Sequence, residues 1–316
     1  MINSILLFVG ALLVLLLAAR YFTKAAEAIG QYFKLPTFVI GVFIVGIGTS
    51  LPELVSAVMA VKNNVPEIVA GNIIGSNISN LLLITGAVTV INRQSIVLKS
   101  KYIFIDLHYL IGAFLVFFTI VFDKHIYLFE AIILLLIFFT YAFYLVKNDE
   151  SDEVEVAVAA TTTSENKFPL LQLFILLAAS VAIYFGAEYT IAAVTDIATA
   201  LQIAPSIIAL TVLSLGTTLP ELFVNIAAIS SGKAEMAIGN ILGSCIFNTL
   251  IVPSVASFFG SLKIPEDIAH FSLPMMMVSG LFFYLLTQDK RISIWEGLLF
   301  IFIYILFIYQ VTTLHF

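Results

Sequence analysis

Two glutamates stand where an apolar chain has little use for charge. Glu53 follows Pro52 in "GIGTSLPELVSAV" (46–58), and Glu221 follows Pro220 in "SLGTTLPELFVNI" (214–226). Both stretches lie inside runs long enough to cross a bilayer. A charge at that depth costs about 2.5–3.5 kcal/mol on insertion scales. Proline removes a backbone donor and crowds the preceding turn, and Gly48 and Gly216 make the backbone permissive just upstream. Freed carbonyls survive in hydrocarbon only where protein, water or an ion satisfies them. The pattern predicts two interrupted helices, each with a carboxylate near the membrane midplane. Ser50-x-x-Glu53 and Thr218-x-x-Glu221 also fit a capping box. A neutral glutamine would cap equally well, so capping does not account for the charge.

The following spans supply more oxygen. Asn72, Ser76 and Asn80 recur at i, i+4 and i+8, a polar stripe on one helix face, and Asn240, Ser244 and Asn248 repeat it. Asn72 and Asn240, at the ends of the stripes, read as structural. Gly71/Gly75 and Gly239/Gly243 are small-xxx-small pairs that let a helix approach its neighbour closely. Carboxylates, hydroxyls, amides and freed carbonyls are hard ligands, suited to Ca²⁺ with its 6–8 oxygens. Two carboxylates match one divalent ion or partly neutralise several monovalent ones, so Ca²⁺ and Na⁺ would compete for them. The four histidines are scattered near span ends, and the single cysteine, Cys245, rules out an internal disulfide. No nucleophile–histidine pair, cofactor motif or nucleic-acid-binding surface is evident; the chain reads as a non-enzyme without a cofactor.

The elements that must position these groups are membrane helices. The chain is 61% hydrophobic and 11% charged, with a mean hydropathy of +1.10, against roughly 25% charged in soluble domains. Ten candidate spans cover 2–19, 36–61, 68–91, 102–122, 126–146, 168–187, 204–230, 235–259, 268–287 and 292–311. The first lacks a basic n-region and reads as a retained helix. With the N-terminus outside, 11 of the 14 Lys and Arg residues fall in inside loops and three (Lys62, Lys124, Lys263) outside. Both termini are therefore expected to be extracytoplasmic.

Sliding the sequence by 168 residues aligns 46–86 with 214–254 without a gap, and 16 of 41 positions are identical. Each half holds five spans, and an odd number turns the second half over in the membrane. The expected fold is an all-α integral membrane protein of about ten transmembrane helices in two inverted five-helix repeats, 1–146 and 168–316. Interrupted helices at matching places in inverted repeats point to a secondary transporter. Residues 147–167 between the halves carry six acids and two lysines and read as an acidic cytoplasmic linker.

At Gly48-Thr49-Ser50-Leu51-Pro52-Glu53, Gly71-Asn72-Ile73-Ile74-Gly75-Ser76-Asn77 and their second-half copies, the sequence resembles the cation/calcium antiporter superfamily, specifically sodium/calcium exchangers of the prokaryotic type. The resemblance implies Na⁺/Ca²⁺ antiport by alternating access at a metal-binding site built by spans 2, 3, 7 and 8; a monomer in the plasma membrane is expected. It implies Glu53 and Glu221 as the central carboxylates, with Thr49 and Thr217 adding oxygens. Ser50, Ser76, Thr218 and Ser244 would complete flanking Na⁺ sites with the carbonyls of Gly46 and Ser214, while Asn80 and Asn248 line the middle. Many exchangers carry an aspartate at the place of Asn80 or Asn248, so potassium co-transport is not expected. Gly75 and Gly243 stand where proton-coupled relatives place a glutamate, which argues against the alternative, a Ca²⁺/H⁺ or other cation/H⁺ antiporter.

Overall fold

The structure, a computed structural model, describes residues 2–62, 64, 66–98, 102–147, 169–200, 214–266 and 268–314. The linker expected at 147–167 lies almost wholly outside the described residues, as does the start of the seventh span. Eight described helices are long and apolar enough to cross a membrane, and two shorter apolar helices, Leu170–Gly186 and Thr218–Ser230, accompany them.

The first half opens with α1 (Ile2–Tyr32), which outruns the expected 2–19. Past Arg20 the helix keeps a buried face of Phe22, Ala25, Ala26 and Ile29, so packing carries it beyond its apolar stretch. The second span is a short α2 (Thr37–Ile40), a π-helical stretch (Gly41–Gly46) and α3 (Ile47–Lys62). The third is α4 (Glu67–Ile78), a π-helical stretch (Ser79–Ile84) and α5 (Thr85–Asn92). Then come α6 (Tyr102–Ile120) and α7 (Leu128–Lys147). The second half has α8 (Leu170–Ala200), α9 (Ser214–Ser230), α10 (Ala234–Ser257), α11 (Leu273–Leu286) and α12 (Ile294–Leu314). Like α1, α8 extends past its expected end, and Gly186 lies against Leu15 where the two long helices pack together.

α10 is the axis of the molecule. Every residue from Met236 to Ser254 is buried, and the helix touches α2, α3, α4, α6, α7 and α9. Backbones meet where it crosses the second span. A Cβ on Gly239 would lie 2.3 Å from the Phe38 carbonyl oxygen, and one on Gly243 would lie 2.4 Å from that of Val42. The close approach expected at Gly239/Gly243 is thus present. In the first half it is not: a Cβ on Gly75 would meet nothing within 4 Å, and one on Gly71 only the Ile268 side chain. There the helix faces side chains rather than backbone.

Two small antiparallel ribbons tie loops of one half to the other. β1 (Ile96–Val97) pairs with β4 (Arg291–Ile292), with Ile96 opposite Ile292. β2 (His125–Ile126) pairs with β3 (Leu262–Lys263), with Ile126 opposite Leu262.

Candidate ion-binding site

The two prolines do not break their helices as expected. α3 runs through Pro52 and α9 through Pro220. A proline in this position forfeits one backbone bond, and neighbouring protein can compensate for that in a buried helix. The departure from α geometry lies upstream, in the π-helical stretch that ends at Gly46. Such widened turns free carbonyls and are frequent at functional sites. The Gly46 oxygen is used at once: the Thr49 and Ser244 hydroxyls each lie 3.3 Å from it.

Around that carbonyl three helices are stitched together. Thr49 Oγ1 is 3.2 Å from Asn240 Oδ1 and 3.4 Å from Ser244 Oγ. Ser244 Oγ is 3.2 Å from the same Asn240 oxygen, and Asn240 Nδ2 donates to Asn225 Oδ1 at 3.0 Å. α3, α10 and α9 are thereby fixed at one level, and Asn240 holds the structural role expected of it. Asn72, its counterpart, is only half-buried and leaves its Nδ2 without a partner.

The same helices and the third span also carry buried side chains without partners. Glu53 and Glu221 are 2% and 1% exposed, and none of their four carboxylate oxygens has a hydrogen-bond partner. The two carboxylates feel each other's charge. Ser50 Oγ, Ser76 Oγ and both polar atoms of Asn80 and of Asn248 are likewise buried and unpartnered. Native proteins rarely leave buried polar atoms unpaired, and uncompensated buried charge is costlier still. The donor set, mostly oxygen and twice negative, fits a hard cation.

Asn80 sits within the second π-helical stretch, where Thr85 Oγ1 donates to its carbonyl at 3.1 Å, five residues back. Asn248, its counterpart, sits in regular α10. Thr218 is buried and has a partner. Ser214 and Thr217 open α9; their side chains lie outside the described residues. Of the residues named from sequence, Glu53, Ser50, Ser76, Asn80, Glu221 and Asn248 therefore hold unpartnered atoms. Thr49, Ser244 and the Gly46 carbonyl are instead hydrogen-bonded to protein.

The roles of several buried polar residues, Asn225, Asn77 and Asp106 among them, escaped the sequence reading. Asn225, one turn beyond Glu221, completes the scaffold; its i+4 spacing from the glutamate was the available signal. Asn77 Nδ2 donates to Thr249 Oγ1 at 2.9 Å, joining the third span to α10. Asp106 is fully buried in α6, where it accepts the Tyr141 hydroxyl of α7; a lone acid in "YIFIDLHYL" was its signal.

A helical membrane bundle with buried, unpartnered carboxylates and amides defines a cation transporter as its class. Comparison with known proteins gives the particular one: the family model "Sodium/calcium exchanger protein" matches residues 3–147 and 171–313, and the chain belongs to that family. It is 27% identical to "Sodium/calcium exchanger MaX1" of Methanosarcina acetivorans, covering 97% of each chain. It is 29% identical to an uncharacterized membrane protein, MJ0091, of Methanocaldococcus jannaschii, covering 95% of each. Among solved structures, the sodium-calcium exchanger NCX_Mj, soaked with zero Na⁺ and Ca²⁺, superposes with a TM-score of 0.82 at 27% identity, covering 98% of this chain and 99% of that one.

Proposed function

We propose that this multi-pass membrane protein exchanges Na⁺ for Ca²⁺ at the site between α3, α4, α9 and α10. The observation that carries the reading is the pair of buried carboxylates, Glu53 and Glu221, with no protein partner for either. Bringing a cation to them replaces its hydration shell with fixed oxygens and relieves the repulsion between them. Ca²⁺ balances both charges at once; Na⁺ ions balance them singly, so occupancy by one ion excludes the other. Ser50, Ser76, Asn80 and Asn248 supply neutral ligand atoms. Thr49, Ser244 and the Gly46 carbonyl add oxygens beside them; in the second half Thr217 and Ser214 hold the places of Thr49 and Gly46, and Thr218 that of Ser50.

The architecture we propose is ten spans in two inverted repeats, 1–146 and 168–316, joined by the 147–167 linker. The ribbons support it: adding 168 to β1 and to β2 lands two residues beyond β3 and β4. Inverted halves permit alternating access, each exposing the shared site to one side. The distribution of basic residues supports extracytoplasmic termini in a plasma membrane, and we propose a monomer.

The test is radiocalcium uptake into proteoliposomes. An outward sodium gradient should drive it, and collapsing that gradient should stop it. Uptake that follows an imposed pH gradient and ignores sodium would overturn the reading in favour of proton coupling.

A further inference from the structure

A groove of about 220 Å³ runs between α1 and α9, away from the ion site. Leu16, Leu17, Phe223 and Ile226 line its length, with Arg20 and Ser230 at one end. Arg20 is exposed and pairs with no described acid. Lys233, three residues past Ser230, is already engaged by Glu27. The groove therefore keeps one free guanidinium, a group that stays charged at any physiological pH.

Composition bears on what this cation can meet. Residues 2–19 of α1 carry no charge, about 27 Å of helix at 1.5 Å per residue, and Arg20, Lys24 and Glu27 are its first charged groups. That is close to the ~30 Å thickness of the hydrocarbon layer. Ser230, the last residue of α9, lines the same groove. Leu16 and Leu17, one turn deeper, are 39% and 56% exposed. One end of the groove thus offers charge and a hydroxyl at headgroup depth, and the rest offers apolar wall at acyl depth.

We propose that this groove holds one anionic phospholipid of the phosphatidylglycerol type, its phosphate on Arg20 and an acyl chain along Leu17 and Phe223. A guanidinium pairs with a phosphate oxygen, and a headgroup of net negative charge suits a groove whose one charged lining residue is Arg20. Phe223 and Ile226 follow Glu221 on α9 by less than two turns, so the lipid would brace the helix that carries one carboxylate of the ion site. That consequence rests on the exchange reading; the lipid site itself does not.

Native mass spectrometry of the full chain, in detergent without Na⁺ or Ca²⁺, tests the binding separately from transport. With equal amounts of phosphatidylglycerol and phosphatidylcholine, the protein should retain one phosphatidylglycerol at a collision energy that strips phosphatidylcholine. Arg20→Gln should lower that retention several-fold, and Arg291→Gln, in the β1–β4 ribbon, should leave it unchanged. Should Arg20→Gln fail to fold, Leu17→Trp fills the groove and should lower retention likewise. Equal retention of the two lipids by the native chain would overturn the proposal. So would retention untouched by Arg20→Gln and Leu17→Trp, or an equal loss in Arg291→Gln. Displacement of the lipid by millimolar inorganic phosphate would reassign the site to free phosphate and end the lipid assignment.

Discussion

The third and eighth spans carry the same motif, Gly-Asn-Ile-x-Gly-Ser followed by Asn, in two different helices. Around Asn80 the first-half helix widens into π geometry over Ser79–Ile84, and the Thr85 hydroxyl holds the carbonyl of Asn80. Around Asn248 the second-half helix stays α, and the residue 168 positions after Thr85 is Pro253, which has no hydroxyl to offer. Packing differs in the same sense. α10 is buried from Met236 to Ser254, with main chain pressed against Gly239 and Gly243. A widened turn has no room there. The first-half helix has open space at Gly75. The motif sets which ligand atoms are offered; the surroundings decide whether the backbone beneath them is tight or widened.

The carboxylates offer the strongest way to break this comparison, because chemistry should be equal where geometry is not. Glu53→Gln and Glu221→Gln each remove one of two buried charges. Each should lower sodium-dependent radiocalcium uptake by about 100-fold or more, given roughly 3–5 kcal/mol for an uncompensated buried charge. Size-exclusion profiles should stay those of the native protein. A variant that keeps near-native exchange would show that only one half contributes charge to the ion.

Packing gives the next largest contrast. Gly243→Ala forces a methyl to 2.4 Å from the Val42 carbonyl oxygen and 2.7 Å from its Cα, an overpacking of about 1–3 kcal/mol. At the equivalent place Gly75→Ala meets nothing and gains helix propensity of ~1 kcal/mol. Thermal unfolding in detergent should show a clear fall in Tm for the first and none for the second. Equal falls would mean that the open face of Gly75 is filled in the membrane.

These positions also mark how far the sequence could be read. Glu53 and Glu221 were legible because an acid beside a proline in an apolar run is costly in lipid and adds nothing to packing, and here it recurs at one offset. Gly75 and Gly243 are identical letters in identical motifs, and nothing local says that only one faces main chain. The π-helical stretches were equally hidden. The composition of "SNLLLI" suits an α-helix, and its register changes through Thr85 and the neighbours of Asn80. Pro52 drew attention to the right helix but misplaced the irregularity, which lies at Gly41–Gly46. Asn225 stood one turn from Glu221, yet its role depends on Asn240, which lies on another helix.

A smaller effect should separate the two backbones. Thr85→Val keeps shape but loses the hydroxyl that holds the widened turn. One such bond contributes about 0.5–1.5 kcal/mol, so calorimetric Ca²⁺ affinity should fall roughly 2–10-fold. Pro253→Ala, at the matching place in α10, should leave affinity unchanged. If both variants bind as the native chain does, the π geometry around Asn80 is incidental to the site.

The smallest effect lies outside the membrane, in the loops. Glu266 sits 2.5 Å from Lys124 Nζ and 3.0 Å from His270 Nε2 beside the β2–β3 ribbon. Leu98 occupies the matching place near β1. The hydrogen bond from Lys124, then that from His270, hold the Glu266 carboxyl below its usual range. A lowered carboxyl stabilises the fold above the ordinary carboxylate pKa and loses that contribution as pH falls through the lowered value. Because Glu266 is fully exposed, solvent and salt screen the cluster. Glu266→Gln should therefore shift the Tm barely above detection at neutral pH and low salt, and not at all at high salt or in acid. A large loss would mean that the charged cluster, rather than the two-residue ribbon beneath it, joins the halves on that face. The ribbon of β1 and β4, which has only Leu98 at that place, would then have to be held by something else.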